Sequence, residues 1–265
     1  VHDVGIRKRL RLTQVGILVG VGVAAVAIGE VSGVGVLAAL PATLVAWWLT
    51  QSWARGVGAR ANTELTKAVT EQRHEDALAL MADIRELYAE HPKALLQLGI
   101  NEASLLLLVG KNAEAVRLLE SISPDALGPE WRPWHANNLA WSLLQVGEAE
   151  RALPLARQSL ELSKANPGKA MSGESLEASQ LGTLGACLSA TGAHEDAKEA
   201  LDRSLAIGGT PTQQSARAFY LGEALSGLGR PDDASEAYAR AMREAPEGHF
   251  AERAKKAREA IAAYR

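Results

Sequence analysis

A glycine followed five positions later by an alanine recurs four times in register, at Gly110/Ala115, Gly147/Ala152, Gly192/Ala197 and Gly229/Ala234. The steps between copies are 37, 45 and 37 residues, and a weaker earlier copy carries Gln72/Ala77. Fixed-period self-similarity in an Ala- and Leu-rich chain constrains the fold more than any composition figure, because each period must be one supersecondary unit stacked on the next. The chemistry of the period is that of two helices. The glycine suits the left-handed cap that ends a first helix. Acidic residues then open the second helix, where the helix dipole favours them: Glu148 and Glu150, Glu195 and Asp196, Asp232 and Asp233. The alanine stands where the second helix must pass close to the first. Val, Ile and Thr are sparse after residue 60, which argues against strands.

In detail the period resembles the tetratricopeptide repeat, which places a small residue seven before the glycine and a large apolar residue four before it. After the glycine come an alanine at five, a bulky residue at nine and a small one at twelve. The last copy reads Gly222, Leu225, Gly229, Ala234, Tyr238, Ala241, with Pro246 after it. The one before reads Gly185, Leu188, Gly192, Ala197, Leu201, Ser204, and the third reads Ala140, Leu143, Gly147, Ala152, Ala156, Ser159. The second reads Ala103, Leu106, Gly110, Ala115, Leu119 and departs at Ile122; the first reads Leu65, Ala68, Gln72, Ala77, Met81, Ile84. The resemblance implies an α-solenoid of about five helix pairs. The 45-residue step carries a loop insertion at Asn166-Pro167-Gly168-Lys169 and Ser172-Gly173. Thr210-Pro211-Thr212-Gln213 reads as an N-cap, a first-turn proline and a capping-box glutamine. Phe250 to Arg265 reads as a polar helix that covers the last apolar face.

The first residues have a different character. Residues 12–54 hold one charged residue, Glu30. Leu12 to Gly29 as a helix would reach roughly 27 Å, close to a hydrocarbon core of about 30 Å. Val31 to Ala54 is also uncharged, and Glu30-Val31-Ser32-Gly33 between them has turn chemistry. The reading is a two-helix membrane hairpin at 12–54. A basic cytoplasmic stretch at 1–11 precedes it, and a linker at 55–58, repeats at 59–249 and a capping helix at 250–265 follow. Arg7, Lys8, Arg9 and Arg11 before the hairpin and Arg55 and Arg60 after it set both ends on the cytoplasmic side; Trp47, Trp48 and Trp53 fit an interfacial belt. The expected fold class is therefore all-α, and the expected localisation is multi-pass in an inner membrane with the repeats in the cytoplasm. A signal peptide or single anchor would instead put the repeats in the periplasm or outside the cell.

Such a stack implies binding. In tetratricopeptide domains the first helices line a groove that takes an extended or helical segment of a partner protein. Projecting the register places Asn101 and Ser104 there from the second pair, Trp134, Asn137, Asn138 and Trp141 from the third, and Phe219, Tyr220 and Glu223 from the fifth. Rings supply contact area and amides bond a peptide backbone. Trp131, Trp134 and Trp141 could equally pack a helix pair or its neighbour, and one of Phe219 and Tyr220 should be core, since adjacent helix residues do not share a face. The family's chaperone-tail clamp needs basic residues where this chain has Trp134, Ser179, Thr183, Ala216 and Tyr220, so that mode is not expected.

Chemistry is not legible beyond this. Gly110-Lys111 lacks the remainder of a phosphate loop. The six His are scattered, with His74 and His194 at equivalent, solvent-facing turns. The one cysteine, Cys187, reads as a small buried hydrophobe. A net charge of −3 gives no reason to expect nucleic acid. No catalytic residue, metal or cofactor is expected. The leading function is a membrane-anchored scaffold or adaptor. Its alternatives are a structural subunit of a bacterial membrane complex for secretion, motility or envelope assembly, and a small-molecule-binding or enzymatic module.

Overall fold

The computed structural model describes residues 63–65, 67, 68, 71, 73–165 and 173–263. Among these, residues 63–65, 67 and 68 are helical, ten α-helices and one short 3-10 helix follow from His74 on, and there is no strand. The helices are α1 (His74–Leu87), α2 (Pro92–Leu108), α3 (Asn112–Glu120), α4 (Arg132–Gln145), α5 (Ala149–Ala165), α6 (Gly173–Ala190), α7 (His194–Ile207), α8 (Pro211–Gly227), α9 (Pro231–Glu244) and α10 (His249–Ala263). The chain divides between Leu98 and Gly99 into two compact units. In the first, Ala68, Ala77, Met81 and Ile84 form the buried set. In the second, α4 packs on α5, α6 on α7, and α8 on α9, while successive first helices α4, α6 and α8 touch one another. The hairpin at 12–54 and the insertion at 166–169 lie outside the described residues.

The repeat register is a backbone device. Gly110, Gly147, Gly192 and Gly229 have φ between +70° and +86°, each in a three-residue connector between a first and a second helix. After each glycine the next amide donates to the carbonyl five residues back: Lys111 to Leu106 at 2.8 Å, Glu148 to Leu143 at 2.9 Å, Ala193 to Leu188 at 2.9 Å and Arg230 to Leu225 at 3.0 Å. That is the Schellman cap, and it satisfies carbonyls the helix would otherwise orphan. Arg73 makes the same bond to Ala68 at 2.8 Å. The leucine of the motif is thus both the cap acceptor and a core side chain. Ala115, Ala152, Ala197 and Ala234 are all fully buried. A Cβ on Gly185 would come 2.5 Å from Leu201 Cγ, and one on Gly222 would come 2.5 Å from the Tyr238 ring, so these small residues set how closely each pair packs.

Polar ties lock the pairs at matching positions 26 residues apart. Ser159 Oγ donates to the Pro133 carbonyl at 2.7 Å and Ser204 Oγ to that of Ala178 at 2.6 Å. In the last pair the donor changes sides, and Ser215 Oγ donates to the Ala241 carbonyl at 2.7 Å. Gln180 on α6 ties into the previous pair, donating to Ser159 O, Ser159 Oγ and Ser163 Oγ at 2.7–2.9 Å. The capping box forms as expected: Gln213 N donates to Thr210 Oγ1 and Thr210 N to Gln213 Oε1. Arg217, only 5% exposed, donates to the Gly208 carbonyl at 2.6 Å and so caps the end of α7; burial lowers its pKa.

Three expectations are corrected. The multi-pass inner-membrane localisation fails, because among the described residues no helix is long and apolar enough to cross a membrane. The longest have 17 or 18 residues and carry Gln97, Asn101 and Glu102, or Glu177 and Gln180, where a span needs about 20 mainly apolar residues. His74 and His194 are not solvent-facing: both are half-buried with Nδ1 sealed from solvent and without a hydrogen-bond partner, and the His194 ring lies against Gly227. Phe219 and Tyr220 are both buried, at 3% and 6% exposure, because α10 supplies one ring, Phe250, that both can reach.

Candidate functional site

The nine residues projected onto the groove fall into three environments. Asn101 and Glu223 are exposed, and Ser104, Trp134 and Trp141 are half-buried. Asn137, Asn138, Phe219 and Tyr220 are buried. Asn138 is a strut between first helices: its amide donates to Ser104 Oγ at 2.9 Å, and that hydroxyl donates to the Ile100 carbonyl at 3.1 Å. Asn137 donates to Asn138 Oδ1 at 3.5 Å, while its own Oδ1 is buried without a donor. A buried acceptor left in this state costs free energy comparable to a lost hydrogen bond.

Rings from α4, α8, α9 and α10 converge. Trp141 on α4 meets Tyr220 on α8 edge-on, with centroids 5.9 Å apart, and lies 5.9 Å from Phe250 on α10. Phe219 touches Tyr220, Tyr238 and Phe250 at 5.2–5.8 Å, and Tyr220 touches Phe250 at 5.8 Å. These separations and tilts are those aromatic pairs prefer. The contact between α4 and α8 passes α6, which lies between them. At the register positions of Tyr220 and Trp141 that helix carries Thr183 and Ala186, both small and at most 4% exposed, so it leaves room for large rings from either side.

Polar groups hold the cluster. Gln145 Nε2 donates to the Tyr220 hydroxyl at 3.1 Å, and the Tyr238 hydroxyl donates to Glu223 Oε1 at 2.5 Å. The Arg253 guanidinium stacks on Phe219, 4.3 Å from the ring centroid. Burial pushes the Tyr220 phenol pKa up, against the opposing pull of the Arg253 charge and the Gln145 hydrogen bond. Burial and the bond to Glu223 also raise the Tyr238 phenol, so both phenols stay neutral, Tyr238 donating to Glu223 and Tyr220 accepting from Gln145. Burial also pushes the Cys187 thiol up to about 12, which removes it as a nucleophile at neutral pH. Among the described residues no group of three His, Cys, Asp or Glu side chains gathers in a way that could hold a metal.

Gln145, Tyr238, Phe250 and Arg253 were not among the residues projected from the sequence. A usable signal was present: in the glycine register α6 carries Ala186 where α4 has Trp141, and Gly182 where α8 has Phe219.

No protein-family model matches the chain, and no curated protein matches it. Solved structures do. TTC0263, a thermophilic TPR protein of Thermus thermophilus, superposes with a TM-score of 0.53 at 19% identity, over 76% of this chain and 98% of that one. PlcR of Bacillus thuringiensis, in complex with the peptide PapR7 and DNA, superposes with a TM-score of 0.54 at 14% identity, over 78% of this chain and 74% of that one. At these identities the likeness is one of fold. Together with the Schellman-capped pairs it establishes a tetratricopeptide-like repeat fold.

Proposed function

We propose that this chain is a non-catalytic protein-interaction module. It takes a peptide segment of a partner protein on the face built by its first helices. The observation that carries this reading is the ring cluster edged by the half-buried Trp141, where large apolar and amphipathic surface lies beside hydrogen-bonding groups. The nine residues divide by role. Trp134 and Trp141 offer contact area, backed from beneath by the buried Phe219 and Tyr220. Asn101, Ser104 and Glu223 offer polar contacts at the rim, and Asn137 and Asn138 set the spacing beneath. PlcR, similar in fold, is seen with a peptide bound, which supports the same use here.

The test is photo-crosslinking from defined positions in the full chain. A crosslinking amino acid at Asn101 or Trp134 should trap a partner segment, while the same group at Lys198 on α7 should not. Trp141→Ala should weaken the trapped interaction by about 1–3 kcal/mol with helicity unchanged. Equal trapping from all three positions, or full affinity in the Trp141→Ala variant, would refute the assignment of this face.

A further inference from the structure

The ring cluster on the first-helix face is completed by the chain's own last described helix. Trp141 and Phe250 are 109 residues apart and belong to first helices separated in the stack by α6 and α8, yet their rings touch. Phe250 also contacts Phe219 and Tyr220. Three residues on, the Arg253 guanidinium covers Phe219 at 4.3 Å and lies 5.8 Å from Tyr220. One turn of α10 thus sets an aromatic ring and a guanidinium into a single recess.

Beyond that turn α10 packs along α9 with little buried side chain. Its buried residues are two alanines, Ala251 and Ala254. Ala257 and Ile261 are half-buried, and the charged side chains form an exposed Lys256–Glu252 pair and one tie from Arg258 to Ser235 Oγ at 3.0 Å. An alanine offers little apolar area, so Phe250 and Arg253 supply the specific contacts. A four-residue connector holding Pro246 and Gly248 separates α10 from α9, and a single Gly248 N to Ala245 O bond at 2.8 Å turns it.

We propose that the recess formed by Trp141, Phe219 and Tyr220 is a docking site for a helical segment bearing an aromatic residue and, three positions later, an arginine. In the isolated chain α10 fills it as an intramolecular stand-in. A partner segment of that chemistry gains access by displacing the first turn of α10. The inference rests on the first-helix face being the binding face, and it adds the ligand's chemistry and the competitor already in place.

The test needs no knowledge of the partner. A fluorescent peptide of residues 245–263 is titrated into the full-length chain and into its Phe250→Ala/Arg253→Ala variant, with anisotropy as the readout. The variant should bind the peptide about tenfold or more tighter than the native chain, and a peptide carrying the same two alanines should lose that gain. Absence of binding to the variant, equal binding to both chains, or binding by the doubly substituted peptide would each overturn the proposal. Native-state hydrogen exchange on the unsubstituted chain guards against a variant that fails to fold. Amides of α10 should exchange about tenfold or more faster than those of α8 and α9, since release of α10 need not open the stack. Exchange of α10 at the rate of α8 would overturn the proposal on its own. These outcomes are independent of the crosslinking experiment: partner trapping with no peptide exchange would leave the binding face standing and remove only the occupancy by α10.

Discussion

The residue with the clearest consequence for stability is His135. It is 4% exposed, and Nε2 donates to the Leu119 carbonyl at 2.9 Å, tying α4 to the end of α3. A carbonyl can only accept, so the Nε2–H tautomer is required. Burial lowers the imidazole pKa below its ordinary 6.5, opposed by the backbone hydrogen bond. The sign follows from linkage. Below pH 6.5 the unfolded chain takes up a proton that the folded chain still resists. The unfolded state then binds more protons, and stability falls with falling pH until the depressed folded pKa is reached. Above 6.5 the contribution is fully present. Urea midpoints measured from pH 7.5 down to 5 should decline, and His135→Gln, which keeps a donor but cannot titrate, should flatten that decline. An unchanged slope in the variant would assign the pH dependence to other groups.

Two kinds of glycine separate at the scale of the element. Gly229 has φ +70° and open space where a Cβ would stand, so its constraint is backbone conformation alone. Gly222 sits within α8, and its constraint is the Tyr238 ring, 2.5 Å from the position a Cβ would take. Gly229→Ala should cost about 1 kcal/mol and Gly229→Asn distinctly less, because asparagine tolerates the left-handed region. Gly222→Ala should cost about 1–3 kcal/mol through overpacking, and Tyr238→Leu in the same chain should return part of it. Thermal or urea unfolding of the four variants checks both patterns. The same distinction explains what was legible in the sequence. The glycine–alanine register is local: cap, acceptor leucine and buried alanine lie within about ten residues, so a single period displays them. The meeting of Trp141 with Tyr220 and Phe250 is not local. It depends on how tightly successive pairs stack and on the small side chains of α6 standing aside, and periodicity reports neither. For the same reason Asn138 projects toward a groove yet is spent on Ser104. A register gives a side chain's bearing, not whether a neighbouring helix has already claimed it. The distribution of charge in residues 12–54 likewise bears only on a segment outside the described residues.

At the scale of the molecule, a stack in which pairs touch only their neighbours should lose stability locally, with damage decaying along the array. In residues 99–265 the packing of α4 on α6 and of α6 on α8 has that character. The ring cluster departs from it. Trp141 joins α4 directly to α8 and α10, bypassing the nearest-neighbour path through α6. The last pair and the third pair should therefore open together more often than a one-dimensional stack allows. Hydrogen exchange by mass spectrometry can measure this. Gly222→Ala should lower protection in α8 and α9, and through the rings it should also lower protection in α4. With Trp141→Ala added, the loss in α4 should largely vanish while the loss in α8 and α9 remains. A double-mutant cycle on α4 exchange should then give a coupling of about 0.5–1.5 kcal/mol, the range for aromatic pairs beyond their area burial. If α4 is equally insensitive to Gly222→Ala with and without Trp141, the rings merely touch, and the pairs unfold as independent neighbours.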